Sequence, residues 1–522
     1  QRQRMSVPAQ VFSAHLLATL LAGGVEHIYL APGSRSQSLA IAADQLARAE
    51  RVKLHVRIDE RVMAFTALGT ALATQKPVAV ITTSGTAVAN LHPAVLEAHH
   101  AGVPLLLLTA DRPDELRGVG ANQTTDQIGI FGSAVQHVFD VEAPDDENDQ
   151  AARALDVGQA ALDLITNQPG PIQLNLAFRE PLSGQYPDAA QVFVEVPLAN
   201  IEQNAEFAVL PAEPKTIVVA GAGAGEAAVE LAESFGWPIF AEPSSGARYG
   251  ANAIANYRRL LENEHELTQE IERVIVFGKP TLSRKINALF FNEAIETIVV
   301  RSKTHGHFDV AHRAAQVVDE ISVSDEVDFD WLNSWRVVDK EFSQQHEAVL
   351  NRANIVREIY AATTDGDCLV LGASRMIRVA DEFAPVKPLA VFSNRGLAGI
   401  DGTISTATGI ALAYPNDGGF TRALIGDLTA LHDVGGLAID PLDGEMNLQL
   451  VVVNDGGGSI FEGLEVAKAK ESFDRVFKTK QNVDFWHLAE AYGWQYSRVE
   501  RLEQLAPALQ QSGRVLVEIA LG

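Results

Sequence analysis

The stretch 422–461 reads RALIGDLTALHDVGGLAIDPLDGEMNLQLVVVNDGGGSIF and contains two apolar runs, RALIG and LQLVVV, separated by about the length of one crossover. Strands that are apolar throughout and joined by a crossover are typical of a parallel sheet covered on both faces. The first run ends in Asp427, and the second ends in Asn454 and Asp455, followed by three glycines. The pattern therefore predicts two neighbouring strands that bring Asp427 and Asp455 to the same sheet edge.

Two acidic side chains at adjacent strand ends can share a divalent cation. Hard cations such as Mg²⁺ prefer oxygen ligands and often keep positions open for phosphate oxygens. The glycines after Asp455 allow a backbone carbonyl to approach as a third protein ligand. An alternative stays open at this point, in which Asp427 caps the following helix and the glycines form a turn.

Runs of the same kind recur along the whole chain and alternate with helical patterns. They are VEHIYLA, KLHVRID, PVAVITTSG, VPLLLLTAD and GPIQLNL, then TIVVAG, WPIFAE, RVIVFG and TIVVRS, and finally CLVLGAS, LAVFSNRG and RVLVEIA. We therefore predict an α/β fold with three doubly wound parallel-sheet domains, at 1–185, 186–340 and 341–522. A linker at 182–215 and an acidic segment at 319–330 mark the boundaries. Ligands bind beyond the carboxyl ends of such strands, so the informative residues follow each strand.

The composition narrows the classes of ligand. The formal net charge is -26, with 47% hydrophobic and 21% charged residues. This composition excludes a mainly disordered chain. The negative net charge argues against nucleic acid or an anionic membrane as the partner. The single cysteine, Cys368, cannot form an intramolecular disulfide, which fits a reducing cytoplasm. Apolar runs fall far short of the roughly 20 residues that a membrane span requires. We therefore expect small-molecule ligands.

A carboxylate at the start of a predicted helix is the second candidate group. In the run Ile-Asp-Glu-Arg at 58–61 a strand meets a helix, and Glu60 lies in the first helical turn. Such a carboxylate can hydrogen-bond a heterocyclic nitrogen and stabilise its protonated form. The helix dipole alone also favours glutamate there by roughly 0.3–1 kcal/mol, so helix stability is the open alternative.

Cationic residues follow several predicted strands, although the protein is acidic overall. They are Arg35, Arg112, Arg117, Arg284, Lys285, Arg375, Arg378 and Arg395. A charge-assisted hydrogen bond contributes roughly 1.5–3 kcal/mol, and arginine can bind a carboxylate through two parallel hydrogen bonds. The pattern favours carboxylated substrates, while a surface ion pair stays the alternative for each arginine taken singly.

The middle region contains GAGAG directly after a predicted strand, and Gly223, Gly225 and Ala228 fit a GxGxxA frame. A convincing acidic ribose ligand does not follow a second strand at the expected distance, so this single match is weak evidence for a dinucleotide. The sequence lacks GxSxG and GxxxxGK[ST] motifs, which argues against a serine hydrolase of that type and a P-loop enzyme.

Six longer segments carry a resemblance to a known family, and they are APGSRSQSLA, RIDERVMAF, TTSGTAVANLHPAV, TADRPDELRGVGANQT, SNRGLAGIDGTISTA and GDLTALHDVGGL. These segments resemble the thiamine-diphosphate-dependent 2-succinyl-5-enolpyruvyl-6-hydroxy-3-cyclohexene-1-carboxylate synthase family of menaquinone biosynthesis. The resemblance spans the predicted first and third domains almost end to end, whereas the middle domain matches weakly, as expected for a spacer. It implies the thiamine-diphosphate-binding superfamily fold, with a pyrimidine-binding first domain and a third domain that binds diphosphate and metal.

The resemblance implies thiamine diphosphate and Mg²⁺ or Mn²⁺ as cofactors. Glu60 resembles the acid that contacts the aminopyrimidine, and Asp427, Asp455 and the Gly457 carbonyl resemble the metal ligands. The sequence reads GDL and NDG where the superfamily often has GDG and NDN, which leaves Asn454 as an alternative to Asp455. The implied cofactor-binding residues are Pro32, Glu60, Ser84, Gly85, Thr86, Ile400, Gly426, Asp427, Leu428, Asp455, Gly457 and Ile460.

The resemblance also assigns two dicarboxylate substrates to the cationic loops. The residues implied for isochorismate are Ser34, Arg35, Arg112, Gln123, Arg284 and Lys285. Those implied for the succinyl part of 2-oxoglutarate are Ser374, Arg378, Arg395, Ile460 and Phe461. The implied catalytic residues are Glu60, Arg35, Gln123, Arg378 and Arg395. The cations at 284 and 285 stand in the opposite order from the family pattern, which leaves the order of their roles open.

The implied reaction is the decarboxylation of 2-oxoglutarate and the addition of the succinyl carbanion equivalent to isochorismate. A cytoplasmic homodimer or homotetramer with active sites between subunits is implied, without nucleic-acid or membrane partners. Another thiamine-diphosphate 2-oxoacid decarboxylase or carboligase, such as acetolactate synthase, is an open alternative that would share Glu60 and the metal motif. A non-catalytic binding or regulatory protein on the same scaffold is the other alternative, and intact Glu60, Asp427 and Asp455 argue against it.

Overall fold

Parallel sheets flanked by helices make up the protein. The computed structural model describes residues 7–182, 184, 188–197, 205–302, 306–323, 328–343, 347–415 and 418–521. Within these ranges the strands form two six-stranded sheets, one five-stranded sheet and one two-stranded sheet, and the paired strands run parallel. No helix in this part of the chain is long and apolar enough to cross a membrane. The predicted α/β class with parallel sheets is confirmed.

The first sheet is built from the amino-terminal third of the chain. Its elements are α1 (Pro8–Ala22), β1 (His27–Leu30), α2 (Gln37–Arg48), β2 (Lys53–Val56), α3 (Glu60–Thr74), β3 (Val78–Thr82), α4 (Thr86–Asn90), α5 (His92–Ala101), β4 (Leu105–Asp111), β5 (Val138–Val141), α6 (Gln150–Asn167) and β6 (Ile172–Ala177). The strand order is β2-β1-β3-β4-β6-β5. Every residue of β1, β3 and β4 is buried, as expected for strands that are covered on both faces.

The central region contains the five-stranded and the two-stranded sheet. Its elements are β7 (Phe207–Leu210), β8 (Thr216–Ala220), α7 (Glu226–Ser234), β9 (Ile239–Ala241), α8 (Tyr257–Glu262), α9 (Glu266–Gln269), β10 (Arg273–Phe277), α10 (Arg284–Phe291), β11 (Glu296–Val300), β12 (Ala314–Val318), β13 (Glu320–Val323) and α11 (Asp330–Phe342). The larger sheet has the order β12-β11-β10-β8-β9.

Strands β7 and β13 lie in the two segments that the sequence marks as a linker and a boundary. They pair with each other in parallel, from Phe207 opposite Glu320 to Leu210 opposite Val323. Burial alternates along β7, where Phe207 and Val209 are exposed and their neighbours are buried. The sequence around this short, half-exposed strand is polar and resembles a linker. Its partner strand, β13, lies more than 100 residues later in the chain.

The third large sheet comes from the carboxyl-terminal part. The elements of this part are α12 (Arg352–Ala362), β14 (Cys368–Leu371), α13 (Arg375–Phe383), β15 (Ala390–Phe392), α14 (Thr403–Ala413), β16 (Thr421–Gly426), α15 (Asp427–His432), β17 (Leu448–Asn454), α16 (Lys470–Ser472), α17 (Phe485–Ala491), β18 (Gln495–Val499), α18 (Leu505–Ala508) and β19 (Arg514–Ala520). The strand order is β15-β14-β16-β17-β19-β18, so β16 and β17 are neighbours, as the spacing of their acids predicts.

The first and third sheets share one strand order. In both, the order reverses beside the first strand in sequence, between β1 and β3 and between β14 and β16. A reversal of this kind leaves a crevice beyond the carboxyl ends of the two strands, and ligands of open parallel sheets bind there. The fold therefore points to the loops that follow β1 and β3 in one sheet and β14 and β16 in the other.

The chain groups into two compact units. The first unit consists of Gln1–Glu202, Asp401–Tyr414 and Asp433–Glu445, and the second of Gln203–Ile400, Pro415–His432 and Met446–Gly522. Asp443 ties its segment to the first sheet, because its carboxylate contacts Nδ1 of His55 and Nη2 of Arg57, both at 2.6 Å. The division into domains at 1–185, 186–340 and 341–522 stays a prediction.

Helices α3 and α14 pack closely within the first unit. A Cβ atom on Gly69 would lie 2.0 Å from the carbonyl oxygen of Thr406, and one on Gly409 would lie 1.9 Å from that of Thr66. Neither glycine can therefore gain a side chain unless the helices separate. Because α3 begins at Glu60, this contact also holds the helix that carries a predicted site residue.

We expect Gly69→Ala to destabilise the protein by about 1–3 kcal/mol, because the new methyl group would collide with backbone atoms that cannot rotate away. Alanine is by itself favoured over glycine inside a helix by about 1 kcal/mol, so helix propensity predicts the opposite sign. Gly463→Ala is the control, because its Cβ would meet open space. Thermal unfolding of both variants measures the difference, and equal midpoints would contradict the tight helix contact.

Candidate active site

Two loops of the first unit meet at the reversal point of the first sheet. A Cβ atom on Gly33, in the loop after β1, would lie 2.1 Å from Cβ of Thr83, in the loop after β3. These loops carry the predicted residues Pro32, Ser34, Arg35, Ser84, Gly85 and Thr86. Pro32 and Ser34 are exposed, whereas Arg35 and Ser84 are buried. The structure thus brings both predicted loops to the crevice that the strand order creates.

Ser84, Arg112 and Gln123 form one hydrogen-bonded group. Nη1 of Arg112 donates to Oγ of Ser84 at 2.5 Å. That hydroxyl donates to the carbonyl oxygen of Gln123 at 2.9 Å, and Nε2 of Gln123 donates back to the carbonyl oxygen of Ser84 at 2.9 Å. Gln123 has a φ of 55°, which non-glycine residues rarely adopt, and such strain concentrates at functional sites.

Arg35 is buried near Arg112, with 7% of its surface exposed. Its Nη1 donates to the carbonyl oxygen of Phe178 at 3.0 Å, and its Nη2 lies 3.6 Å from the carboxylate of Glu180. Burial lowers the pKa of Arg35, and the charge of Arg112 adds to the decrease. Two guanidinium groups in one partly buried place favour an anionic ligand such as a carboxylate.

Glu60 is the first residue of α3 and is half-buried. Asp59 caps this helix, because its Oδ1 accepts hydrogen bonds from the backbone N–H groups of Arg61 at 2.8 Å and Val62 at 3.2 Å. Asp59 supplies the cap, and Glu60 is the acidic residue of the first turn, where the helix dipole also favours a carboxylate.

Gln127 is a residue of this region that the sequence does not single out. It is 1% exposed, its Oε1 accepts from the N–H of Gly85 at 2.9 Å, and its Nε2 donates to Oδ1 of Asn175 at 2.9 Å. Gln127 therefore fixes the glycine in the loop after β3. A single glutamine forms no motif, so only the folded structure reveals this role.

A cavity of about 290 Å³ in the second unit lies at the reversal between β14 and β16. The predicted residues in its wall are Ser374, Arg378, Ile400, Gly426, Asp427, Leu428, Asp455, Gly457, Ile460 and Phe461. The structure thus brings together residues predicted for metal, diphosphate and 2-oxoglutarate.

Asp427 holds its carboxylate between two backbone donors. The N–H of Leu428 donates to Oδ1 at 2.8 Å, and the N–H of Gly457 donates to Oδ2 at 2.7 Å. Burial raises the pKa of Asp427, and the carboxylate of Asp455 adds to the increase. Gly457 has a φ of 118°, and a Cβ there would lie 2.2 Å from the carbonyl oxygen of Lys478, so a glycine is required.

Asp455 and Asn454 have different partners. Nη2 of Arg352 donates to Oδ2 of Asp455 at 2.5 Å, and Oγ of Ser459 donates to the same oxygen at 2.6 Å. The amide of Asn454 instead donates to Glu518 at 2.7 Å. Asp455 lines the cavity and Asn454 does not, which favours Asp455 as the ligand. The partner Arg352 lies 103 residues away and has no sequence signal.

The guanidinium group of Arg395 is close enough to affect the pKa of Arg378. Nη1 of Arg378 donates to the carbonyl oxygen of Ser374 at 2.6 Å. Burial lowers the pKa of Arg378, and the charge of Arg395 adds to the decrease. Arg395 is 5% exposed and donates from Nη2 to Oγ1 of Thr281 at 2.6 Å. Arg378 forms part of the cavity wall, and Arg395 does not.

Arg284 and Lys285 lie on the surface of the second unit, at the start of α10. The side chain of Arg284 is 84% exposed and lies 3.8 Å from Glu465, while Nζ of Lys285 donates to Glu264 at 2.9 Å. Neither residue lines the cavity that contains Arg378. The structure does not bring them to the other predicted residues of this unit, and their role toward isochorismate stays a prediction.

The donor set at the cavity suits a hard cation bound to a diphosphate. Among the residues that the structure describes, no group of three or more His, Cys, Asp or Glu side chains is placed to hold a metal. Because two carboxylates are available, a cation here would be coordinated by oxygens of Asp427 and Asp455. A third protein ligand would have to come from the backbone, such as the Gly457 carbonyl. Oxygen ligands with positions left for phosphate are the preference of Mg²⁺, and the residues present fit this group.

Two family models match the chain. Residues 11–130 match the thiamine pyrophosphate enzyme N-terminal TPP binding domain, and residues 357–519 match the C-terminal TPP binding domain. These ranges contain Glu60 in the first case and Asp427 and Asp455 in the second.

Relatives match nearly the whole chain. The 2-succinyl-5-enolpyruvyl-6-hydroxy-3-cyclohexene-1-carboxylate synthase of Leifsonia xyli subsp. xyli (strain CTCB07) is 42% identical over 99% of this chain and 97% of its own length. Proteins with the same name from Clavibacter michiganensis subsp. michiganensis (strain NCPPB 382) and Thermobifida fusca (strain YX) are 43% and 40% identical over 97% and 98% of this chain, and over 95% and 96% of their own lengths. The chain therefore belongs to the 2-succinyl-5-enolpyruvyl-6-hydroxy-3-cyclohexene-1-carboxylate synthase family of thiamine pyrophosphate enzymes.

Proposed function

We propose that the protein decarboxylates 2-oxoglutarate and adds the succinyl carbanion equivalent to isochorismate, which gives 2-succinyl-5-enolpyruvyl-6-hydroxy-3-cyclohexene-1-carboxylate for menaquinone biosynthesis. The observation that carries the proposal is the match to synthases of this name, which are 42% and 43% identical to this chain over 99% and 97% of its length. Glu60, Asp427 and Asp455 are also intact. The shared name of the relatives gives no support to an acetolactate synthase or a non-catalytic protein.

The cofactors of the proposed enzyme are thiamine diphosphate and a divalent cation, Mg²⁺ or Mn²⁺. Thiamine diphosphate would supply, when bound, a thiazolium ring that accepts the electron pair released by decarboxylation. Asp427, Asp455 and the Gly457 carbonyl hold the cation, and Oδ1 of Asp455 is the oxygen available for it because Arg352 and Ser459 both contact Oδ2.

Glu60 acts on the aminopyrimidine end of the cofactor. Its carboxylate hydrogen-bonds a ring nitrogen and stabilises the protonated form of that ring. This role uses the half-buried position of Glu60, where exclusion of water strengthens a charge-assisted hydrogen bond.

The substrates bind through cationic groups of the two units. Arg35, Arg112 and Gln123 orient isochorismate, with Ser34 beside them, and Arg284 and Lys285 are assigned to the same substrate. Ser374, Arg378 and Arg395 orient 2-oxoglutarate, against the apolar side chains of Ile460 and Phe461. The carboxylates of both substrates match the charges of these groups, and fixed orientation of two reactants lowers the entropic part of the barrier.

The proposed assembly is a cytoplasmic homodimer or homotetramer with each active site between two subunits. The pyrimidine-binding residues of one subunit and the diphosphate-binding residues of another form one site. A single cysteine supports a reducing compartment.

We expect Glu60→Gln to fold normally and to lower kcat by about 10²- to 10⁴-fold, because the amide cannot stabilise the protonated ring. Loss of isochorismate absorbance with 2-oxoglutarate, thiamine diphosphate and Mg²⁺ present measures turnover. Asp59→Asn is the matched control, since asparagine also caps helices and this neighbouring carboxylate has no assigned chemical role. Near-normal turnover of Glu60→Gln would refute the assignment.

We expect Asp427→Asn to raise the Mg²⁺ concentration needed for half-maximal binding of thiamine diphosphate by about 10- to 100-fold, because an anionic ligand is lost. Asp455→Asn should act in the same direction, whereas Asn454→Ala should leave the Mg²⁺ requirement close to wild type. Calorimetric titration at several Mg²⁺ concentrations gives the comparison. A larger effect for Asn454→Ala than for Asp455→Asn would reverse the choice of ligand.

Sites between subunits can be tested by combining two impaired variants. In a heterodimer of Glu60→Gln and Asp427→Asn chains, one site would carry both substitutions and the other neither. At a Mg²⁺ concentration that saturates wild-type sites but not Asp427→Asn sites, heterodimers purified through two different affinity tags should then show about half of wild-type activity, while both homodimers show little activity. An inactive heterodimer would place both residues of each site in one chain.

A further inference from the structure

The loop 278–283 connects β10 to α10 at the reversal point of the central sheet, between β8 and β10. Backbone hydrogen bonds of 3.2 and 2.9 Å join Ala222 and Lys279 across this point. A Cβ on Gly221 would lie 2.0 Å from the backbone nitrogen of Pro280. Protein backbone therefore fills the crevice next to the GAGAG segment, and the loop 278–283 is held against the sheet.

Glu242 anchors the same loop from the neighbouring strand. It directly follows β9 and is 2% exposed. Its Oε1 accepts a hydrogen bond from the N–H of Leu282 at 2.7 Å, and the N–H of Thr281 also donates to its carboxyl group. Its Oε2 is buried without a hydrogen-bond partner in the described structure. One buried carboxyl group thus fixes two consecutive residues of the loop.

Thr281 links the anchored loop to Arg395. The hydroxyl Oγ1 of Thr281 accepts a hydrogen bond from Nη2 of Arg395 at 2.6 Å. Thr281 is exposed, whereas Arg395 is almost fully buried. The contacts therefore run from Glu242 through the backbone at 281 and 282 to the guanidinium group of Arg395.

We propose that Glu242 and Thr281 are positioning residues for the binding of 2-oxoglutarate, in which Glu242 fixes the loop and Thr281 orients Arg395. The inference rests on the proposed function, because it takes Arg395 as a residue that binds this substrate. A neutral hydroxyl partner orients a guanidinium group without adding a negative charge that would compete with a substrate carboxylate. Orientation before binding lowers the entropic cost of association.

Charged and titratable groups around Glu242 lie on two helices and in the segment that follows β15. Asp381 and Arg378 lie on α13, Tyr257 lies on α8, and Arg395 follows β15. Burial raises the pKa of Glu242 to about 8, and Asp381 adds to the increase. The carboxyl group is therefore mostly protonated at pH 7 and gains a negative charge as the pH rises through 8. That charge attracts Arg395 and competes with the substrate.

Substitution of the exposed Thr281 gives the first test. Thr281→Ala should raise KM for 2-oxoglutarate about five- to tenfold, because one hydrogen bond that orients Arg395 is lost. The kcat, the KM for isochorismate and the thermal midpoint should stay close to wild type, which a general structural defect would not allow. Thr281→Ser keeps the hydroxyl and should restore the wild-type KM.

Substitution of Glu242 gives the second test. Glu242→Gln keeps a carbonyl oxygen for the two N–H groups but cannot ionise, so it should show wild-type KM at pH 7. Wild type should show a rise in KM for 2-oxoglutarate between pH 7 and pH 9, and Glu242→Gln should show a smaller rise. Glu242→Ala removes the anchor and should raise KM for both substrates, because Arg284 and Lys285 follow the same loop.

The outcomes separate this inference from the proposed function. Calorimetric binding of 2-oxoglutarate to the wild-type protein and its turnover with isochorismate test the function, and their absence would overturn both proposals. Where wild type binds and turns over 2-oxoglutarate, an unchanged KM in Thr281→Ala overturns the positioning role alone. An unchanged KM in folded Glu242→Ala would overturn the anchoring role of Glu242, and equal pH profiles of wild type and Glu242→Gln would overturn the effect of its ionisation.

Discussion

Two carboxylates at neighbouring strand ends impose the main constraint on the second unit. Gly426 and Val453 pair in register on β16 and β17, so Asp427 and Asp455 are brought to one partly buried edge. Buried like charges repel each other and lose hydration, which is unfavourable unless a proton or a cation compensates. Arg352 compensates the charge of Asp455, whereas burial raises the pKa of Asp427 and the nearby Asp455 adds to the increase. A bound divalent cation would offset both effects, so the strand register that brings the two carboxylates together favours a cation at this edge.

The three large sheets use one topological feature in different ways. Each has a reversal of strand order at which the fold opens a crevice. In the first sheet the adjacent loops carry Arg35 and the hydrogen-bonded Ser84, and in the third Asp427 directly follows β16. In the central sheet the backbone of Ala222 and Lys279 closes the crevice. Strand order therefore predicts where a ligand can bind, while the side chains at the strand ends decide which ligand, or none, binds.

The sequence predicts those features that have a local cause. Buried strands must be apolar on both faces, so their positions are visible, and the spacing of Asp427 and Asp455 predicts neighbouring strands. Features that depend on distant partners leave no such trace. Strand β7 alternates in burial and pairs with β13 across the whole central region, and its sequence resembles a linker. Gln127 and Arg352 are single polar residues whose partners are known only once the chain is folded.

The central region shows how a segment outside the matched domain families can still contact a proposed site residue. The matched domain families leave 131–356 uncovered, which fits a spacer, yet Thr281 contacts Arg395. The loop that carries Thr281 is held by backbone N–H groups, and every residue except proline supplies such a donor. Only the carboxyl group of Glu242 and one hydroxyl need particular side chains. Such a contact requires few particular residue types. A search for sequence motifs would therefore not detect it, even though its geometry is well defined.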